Sequence, residues 1–183
     1  MLKNNSKGYG LISILLHWLS LFIVSGLFGV GLWMVDLSYY SEWYRTAPHW
    51  HKSVGILFAL AIFFRLCWNT FQTRPSAMGS NIEKFAAKMA HKLLYLLLFA
   101  LFISGYLIST ADNRGIDVFD WFHVPGMGSL FEDQEDIAGL VHEWLAYSLI
   151  SLAVLHGVAA LKHHFADKDD TLKRMLSTRF QKP

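Results

Sequence analysis

Four stretches of this chain are long and apolar enough that the bilayer is their natural solvent. Residues 11–35, 51–71, 90–111 and 138–162 each approach or exceed the ~20 residues that a helix needs to cross a hydrocarbon core of roughly 30 Å. None alternates polar and apolar residues with period two, so they read as helices rather than barrel strands. Only 16% of the residues are charged, against about a quarter in soluble domains. The expected fold is an all-α integral membrane four-helix bundle, with residues 1–183 forming one domain. Lys3 and Lys7 precede the first stretch as they would a signal peptide. The stretch is too long for a signal core and lacks an A-x-A cleavage pattern, so it is expected to stay.

Charge orients the bundle. With the N-terminus cytoplasmic, that side collects Lys3, Lys7, Arg65, Arg74, Lys84, Lys88, Lys92, Lys162, Lys168, Lys173, Arg174, Arg179 and Lys182, and the other holds Arg45, Lys52 and Arg114. Thirteen basic residues against three predict that both termini are cytoplasmic. Ten of the fourteen acids fall on the outside. The net charge of +2 therefore hides a polarised molecule, and its basic side needs no nucleic-acid partner to explain it.

The connection between the third and fourth helices, about 112–137, is the long one. It carries the turn signals "DNRG" and "VPGMG" and the apolar residues Val118, Phe119, Trp121, Phe122, Leu130 and Phe131. Apolar side chains in an acidic external loop suggest a segment folded back over the bundle, as a short interfacial helix; the plainer alternative is a surface loop with aromatic anchors. The single Cys67 excludes a disulfide within the chain and a C-x-x-C-H attachment, so any haem is held by coordination.

Nine histidines are many for so apolar a chain. His142 and His156 share the fourth helix. Fourteen residues separate them by about 21 Å along the axis and return them to within about 40° of one face. Imidazoles at two depths suit two stacked metal cofactors, each needing a second axial ligand at matching depth. On the outer level the candidates are His51 and, less well, His49; on the inner level they are His17 and His91. Four ligands at two levels describe a di-haem b cytochrome, in which bis-histidine ligation favours electron transfer. The alternative is that these histidines serve as interhelical hydrogen-bonders, although ionisable residues inside a membrane are functional candidates by default. Gly26, Gly29, Gly31, Gly55 and Gly157 can admit a flat macrocycle, or equally permit close helix packing.

The segments "ISILLHWLS", "HKSVGILFALAIFFRL", "AHKLLYLLLFALFISGYLI", the "NRG" of the long loop, "VHEWLAYSLISLAVLHGVAALKHHF" and "KDDTLKRM" resemble the bacterial cytochrome b561 family over nearly the whole chain. The resemblance implies four helices, two haem b groups in the bacterial inner membrane, and an activity of the superoxide oxidase (superoxide:ubiquinone oxidoreductase) type. It further implies His51 and His142 as ligands of the outer haem and His17 and His156 of the inner one. His91 matches a family histidine that the pattern does not use as a ligand. His49 and His123 have no match; His49 is read as a solvated rim residue and His123 as an exposed loop histidine.

The expected function is electron transfer between an external donor and ubiquinone. His163 and His164 follow His156 by about two turns, in reach of a quinone that an imidazole can hydrogen-bond and protonate, or they anchor at the headgroups. Lys52 and Arg114 are candidate propionate or anion contacts outside, as Lys92 and Lys162 are inside. Superoxide is an anion, yet the long loop with Glu143 carries eight acids and only Arg114 as a base, a field that favours a cationic electron-carrier protein. Two further readings stand beside this one: a haem subunit that docks a separate dehydrogenase, and a non-redox bundle whose histidines bind zinc or relay protons.

Overall fold

Apolar length becomes helix length. In the computed structural model, which describes residues 1–181, the chain forms α1 (Leu11–Val35), α2 (Thr46–Thr70), α3 (Asn81–Thr110) and α4 (Gln134–Phe165). Lys182, counted above on the basic side, lies outside the described residues. The shortest of these helices has 25 residues, about 37 Å at 1.5 Å per residue and enough to cross a bilayer. In their most apolar windows no more than 17% of residues are buried. Side chains such as Phe22, Phe63, Leu96 and Val154 stand exposed, as surfaces made to meet acyl chains do.

Three helices begin earlier than the apolar blocks, because polar residues extend them. α2 starts at Thr46 and takes Pro48 into its first turn, where the missing N–H has no helical partner to lose. His49 therefore sits on helix α2 and not in a loop. α3 starts at Asn81 because Ser80 and Glu83 cap it reciprocally: Ser80 N donates to Glu83 Oε2 at 2.7 Å and Glu83 N to Ser80 Oγ at 3.3 Å, a capping box written S-x-x-E. α4 gains Gln134, Glu135 and Asp136 in front and ends on Lys162, His163 and His164, each sign placed to favour the helix dipole.

The chain divides into two compact units. One holds both termini (Met1–Leu21, Ile62–Tyr95 and the described residues from Ile150 on), and the other comprises Phe22–Ala61 and Leu96–Leu149. The termini unit is tied by polar bonds that link the terminal segments to α1 and to the connection between α2 and α3. Asn4 N donates to Gln72 Oε1 at 3.0 Å, Arg174 Nη1 to Ser76 O at 2.9 Å, and Trp18 Nε1 to Met175 O at 2.7 Å. The last of these draws the short helix α5 (Thr171–Arg174) back onto α1. A one-turn 3₁₀ segment, Thr178–Gln181, follows it.

The second unit contains the long connection, and here the expected interfacial helix is corrected. The segment is a β-hairpin, β1 (Ile116–Val118) paired antiparallel with β2 (Phe122–Val124). β1 alternates buried, exposed, buried, with Ile116 and Val118 turned inward at 3% and 0% exposure, the period of a half-buried strand. The segment does fold back. Phe119 N donates to Ser53 Oγ at 2.9 Å, and Ser53 Oγ donates to Asp117 O at 3.3 Å. That tie holds the hairpin tip on α2 with Phe119 at φ 47°, a conformation costly for a bulky residue unless its surroundings hold it.

Gln134 joins this loop to α4 and α3. Its side chain is 2% exposed, accepts from Leu130 N at 2.7 Å and donates to Leu107 O at 2.9 Å. Gln134→Leu keeps the volume and strands both partners, at about 1–3 kcal/mol for each buried group left unpaired. Its midpoint of unfolding in detergent should fall clearly below that of the unaltered protein; an unchanged midpoint would show that the amide contributes nothing.

Candidate functional site

Each unit brings together histidines from different helices, two in the second unit and three in the termini unit. In the second unit the rings of His51 (α2) and His142 (α4) have centroids 6.3 Å apart at an interplanar angle of 72°. In the termini unit those of His17 (α1) and His156 (α4) are 6.2 Å apart at 61°. A metal bound between two imidazoles lies about 2.0 Å from each nitrogen, and ring nitrogens lie about 1.2 Å from their centroid, so axial partners are expected about 6.4 Å apart. Both pairs fit that span. His91 (α3) approaches His156 to 5.0 Å, too close to hold an iron between them.

The residues around His142 prepare it as a ligand. Ser104, 4% exposed, donates its single hydroxyl proton to Leu101 O at 3.1 Å and lies 3.0 Å from His142 Nδ1. With that proton spent, Nδ1–H is the donor to Oγ, and Nε2 keeps a free lone pair for a metal. Gly105 passes close by: a Cβ there would lie 3.2 Å from His142 Cε1. Gly31 stands in the same relation to His51, at 3.4 Å. At Gly26, Gly29, Gly55, Gly139 and Gly157 a Cβ would meet nothing within 4 Å, so these glycines open onto space and do not seat a neighbouring helix.

His17 has a different neighbour. Arg65 (α2) places Nη2 3.3 Å from His17 Nδ1 and donates from Nη1 to Ser20 Oγ at 2.9 Å. Its guanidinium carbon stands 5.8 Å from the Tyr95 ring centre, within cation–π range, and Asn69 Nδ2 donates to the Tyr95 hydroxyl at 3.2 Å. The charge count above treats Arg65 only as a cytoplasmic cation. Its position within an apolar block was the available signal. No sequence signal linked Ser104 to His142, since they lie on different helices.

Other candidates are engaged elsewhere. Arg114 pairs with Asp112, its Nε donating to Oδ2 at 2.6 Å; that hydrogen bond holds the Asp112 carboxyl below its usual range and raises Arg114. Lys52 is half-buried on α2 and forms no ion pair among the described residues. His49 meets Phe119 edge-on at 6.0 Å, and His123 bonds Asp117 across the hairpin at 2.8 Å, exposed as expected. His163 lies 2.8 Å from Asp169 and 3.1 Å from Asp167, while His164 Nδ1 is buried without a hydrogen-bond partner among the described residues. Burial opposes ionisation of Asp169, yet hydrogen bonds from Thr171 and His163 hold its carboxyl below the usual value. Glu83, His163 and Asp167 converge closely enough to hold a cation. Lys162 Nζ already fills that position, 2.5 Å from Glu83 and 2.8 Å from Asp167.

The sequence model of the prokaryotic cytochrome b561 family matches residues 8–178 of this chain. The chain belongs to the prokaryotic cytochrome b561 family. Cytochrome b561 homolog 2 of Escherichia coli (strain K12) is 53% identical over 175 residues, covering 94% of this chain and 93% of its own length. A probable superoxide oxidase CybB of Yersinia pestis is 29% identical, covering 93% and 96%, and cytochrome b561 homolog 1 of Escherichia coli (strain K12) is 26% identical, covering 91% and 95%. Membership in the cytochrome b561 family makes the chain a multi-pass bacterial membrane cytochrome that binds haem b in electron transport.

Proposed function

We propose that this cytochrome carries two haem b groups and passes electrons from a donor on the outer side of the inner membrane to ubiquinone, with both termini cytoplasmic. The observation that supports it is the pair of ring separations, 6.3 and 6.2 Å, each near the span of a six-coordinate iron. His51 and His142 hold the outer group, and His17 and His156 the inner one. Haem b supplies one-electron acceptance and release at a potential set by its surroundings. The residues do the rest. Ser104 holds His142 in the ligating tautomer, and the space beside Gly26, Gly29, Gly55 and Gly157 receives the macrocycle. On the cytoplasmic side, His164 has a buried Nδ1 with no hydrogen-bond partner among the described residues, suited to a quinone carbonyl. His163, tied to two carboxylates, is placed to exchange a proton with water.

The donor on this reading is superoxide: two superoxide anions each lose one electron and leave as dioxygen, and the quinone takes up two electrons and two protons to become the quinol. The relative named as a probable superoxide oxidase supports it. Stopped-flow consumption of superoxide by purified protein with ubiquinone present is expected to exceed the spontaneous reaction, and an equal rate sinks this donor. A second reading is favoured by Arg114, whose charge is offset by Asp112, which leaves the loop acidic; Lys52, beside the Ser53 that holds the hairpin, forms no ion pair among the described residues. Such a face suits a cationic electron-carrier protein or a docked dehydrogenase. Quinone reduction that requires the partner protein would select it.

A further inference from the structure

We propose that Arg65 raises the reduction potential of the haem held by His17 and His156, setting it above the one held by His51 and His142. The inference rests on the proposed haem ligation and concerns a residue that this ligation does not use. A cation in a membrane-spanning helix is expensive and persists where it has work to do. Arg65 is held from two sides: Ser20 Oγ accepts from Nη1 at 2.9 Å, and the Tyr95 ring lies beneath its guanidinium, 5.8 Å away. Tyr95 is itself fixed through its hydroxyl by Asn69. No carboxylate pairs with Arg65 among the described residues, so its charge is not offset.

That charge stands at 3.3 Å from His17 Nδ1, the ring nitrogen away from a metal bound at Nε2. Axial histidines ordinarily donate Nδ1–H to a carbonyl or carboxylate, which makes the ligand more basic. A guanidinium has only donors and no acceptor to offer, so it cannot play that part. With Nε2 on a metal, Nδ1 carries a proton, and Arg65 remains beside the ring through Ser20 and Tyr95 as a bare positive charge. Through a medium of low dielectric, such a charge favours whichever state of a nearby centre holds one more electron. At His142 the corresponding neighbour is Ser104, a neutral acceptor 3.0 Å from Nδ1. The two ligands thus differ in what stands against Nδ1, a guanidinium at His17 and a neutral hydroxyl at His142, and the difference lies in the ligand surroundings, not in ligand type.

The test is a potentiometric titration of the purified membrane protein, followed at the α band, with haem counted by pyridine haemochrome. In R65Q one midpoint should fall by about one tenfold step in the reduction equilibrium, ~59 mV for a one-electron couple, while the other stays in place. R65K, which keeps the charge, should retain most of the original value. Two haems with both midpoints unmoved in R65Q would overturn the proposal and leave Arg65 a tether between α1 and α2. A count of zero in the unaltered protein would instead defeat the haem reading itself. If R65Q loses haem, the pair S20D and S20N decides. The carboxylate beside Nη1 should lower the same midpoint and the isosteric amide should not, and equal midpoints in the two would overturn the proposal.

Discussion

Replacing His156 with alanine is expected to leave one haem b per chain where the unaltered protein carries two. The imidazole lies 6.2 Å from His17, and no other ring in the termini unit stands at that span from His17 among the described residues. Loss of one axial ligand from a non-covalently held haem removes the constraint that keeps the iron low-spin and the macrocycle in place; the chain has no C-x-x-C-H to retain it by thioethers. A pyridine haemochrome count reads the result directly, and the α band of the reduced protein should lose one component. His142→Ala should remove the other component. His91→Ala and His49→Ala should keep both, since His91 stands only 5.0 Å from His156 and His49 packs on Phe119. Retention of two haems in His156→Ala, or loss of one in His91→Ala, would reassign the inner ligands.

Gly105→Val is expected to act like the loss of His142. Even the first added carbon would lie 3.2 Å from His142 Cε1 and 3.5 Å from Nδ1, closer than the ring can accept without moving by a few tenths of an ångström. Valine adds two methyl groups on a β-carbon that is stiff at χ1, and overpacking of this kind typically costs about 1–3 kcal/mol. The ring cannot yield freely, because Ser104, the preceding residue on α3, holds its Nδ1 at 3.0 Å. The haem count should fall toward one, with the same spectral component lost as in His142→Ala. Gly139→Ala on α4 provides the contrast: its Cβ meets nothing within 4 Å, and two haems should remain. An intact count in Gly105→Val would show that the glycine does not shape the ligand site.

The helices, their crossing of the membrane and the His142–His156 spacing were legible because each is a local property. Length and hydropathy decide whether a segment prefers lipid, and 3.6 residues per turn decides which side chains share its face. The extended starts of α2, α3 and α4 were less legible, since polar caps lengthen a helix beyond its apolar block; the Ser80–Glu83 pattern was readable by the rule for capping boxes. The hairpin was not, because two three-residue strands carry too few residues for an alternating pattern, and what makes them strands is their seat on Ser53.

By itself the sequence determined a four-helix membrane protein with two tiers of histidine and a strong charge polarity. Its length, apolar runs and helical period leave no other economical arrangement. Only tertiary structure decided which histidines face each other. Spacing along one helix cannot place a ring on another, so by spacing alone His17 and His91 were equal candidates; the family resemblance favoured His17, and the distances to His156, 6.2 Å against 5.0 Å, agree with that choice. Nor does sequence order bring Ser104 to His142 or Arg65 to His17. Those contacts join residues 38 and 48 positions apart, and they form only when separate helices are set side by side.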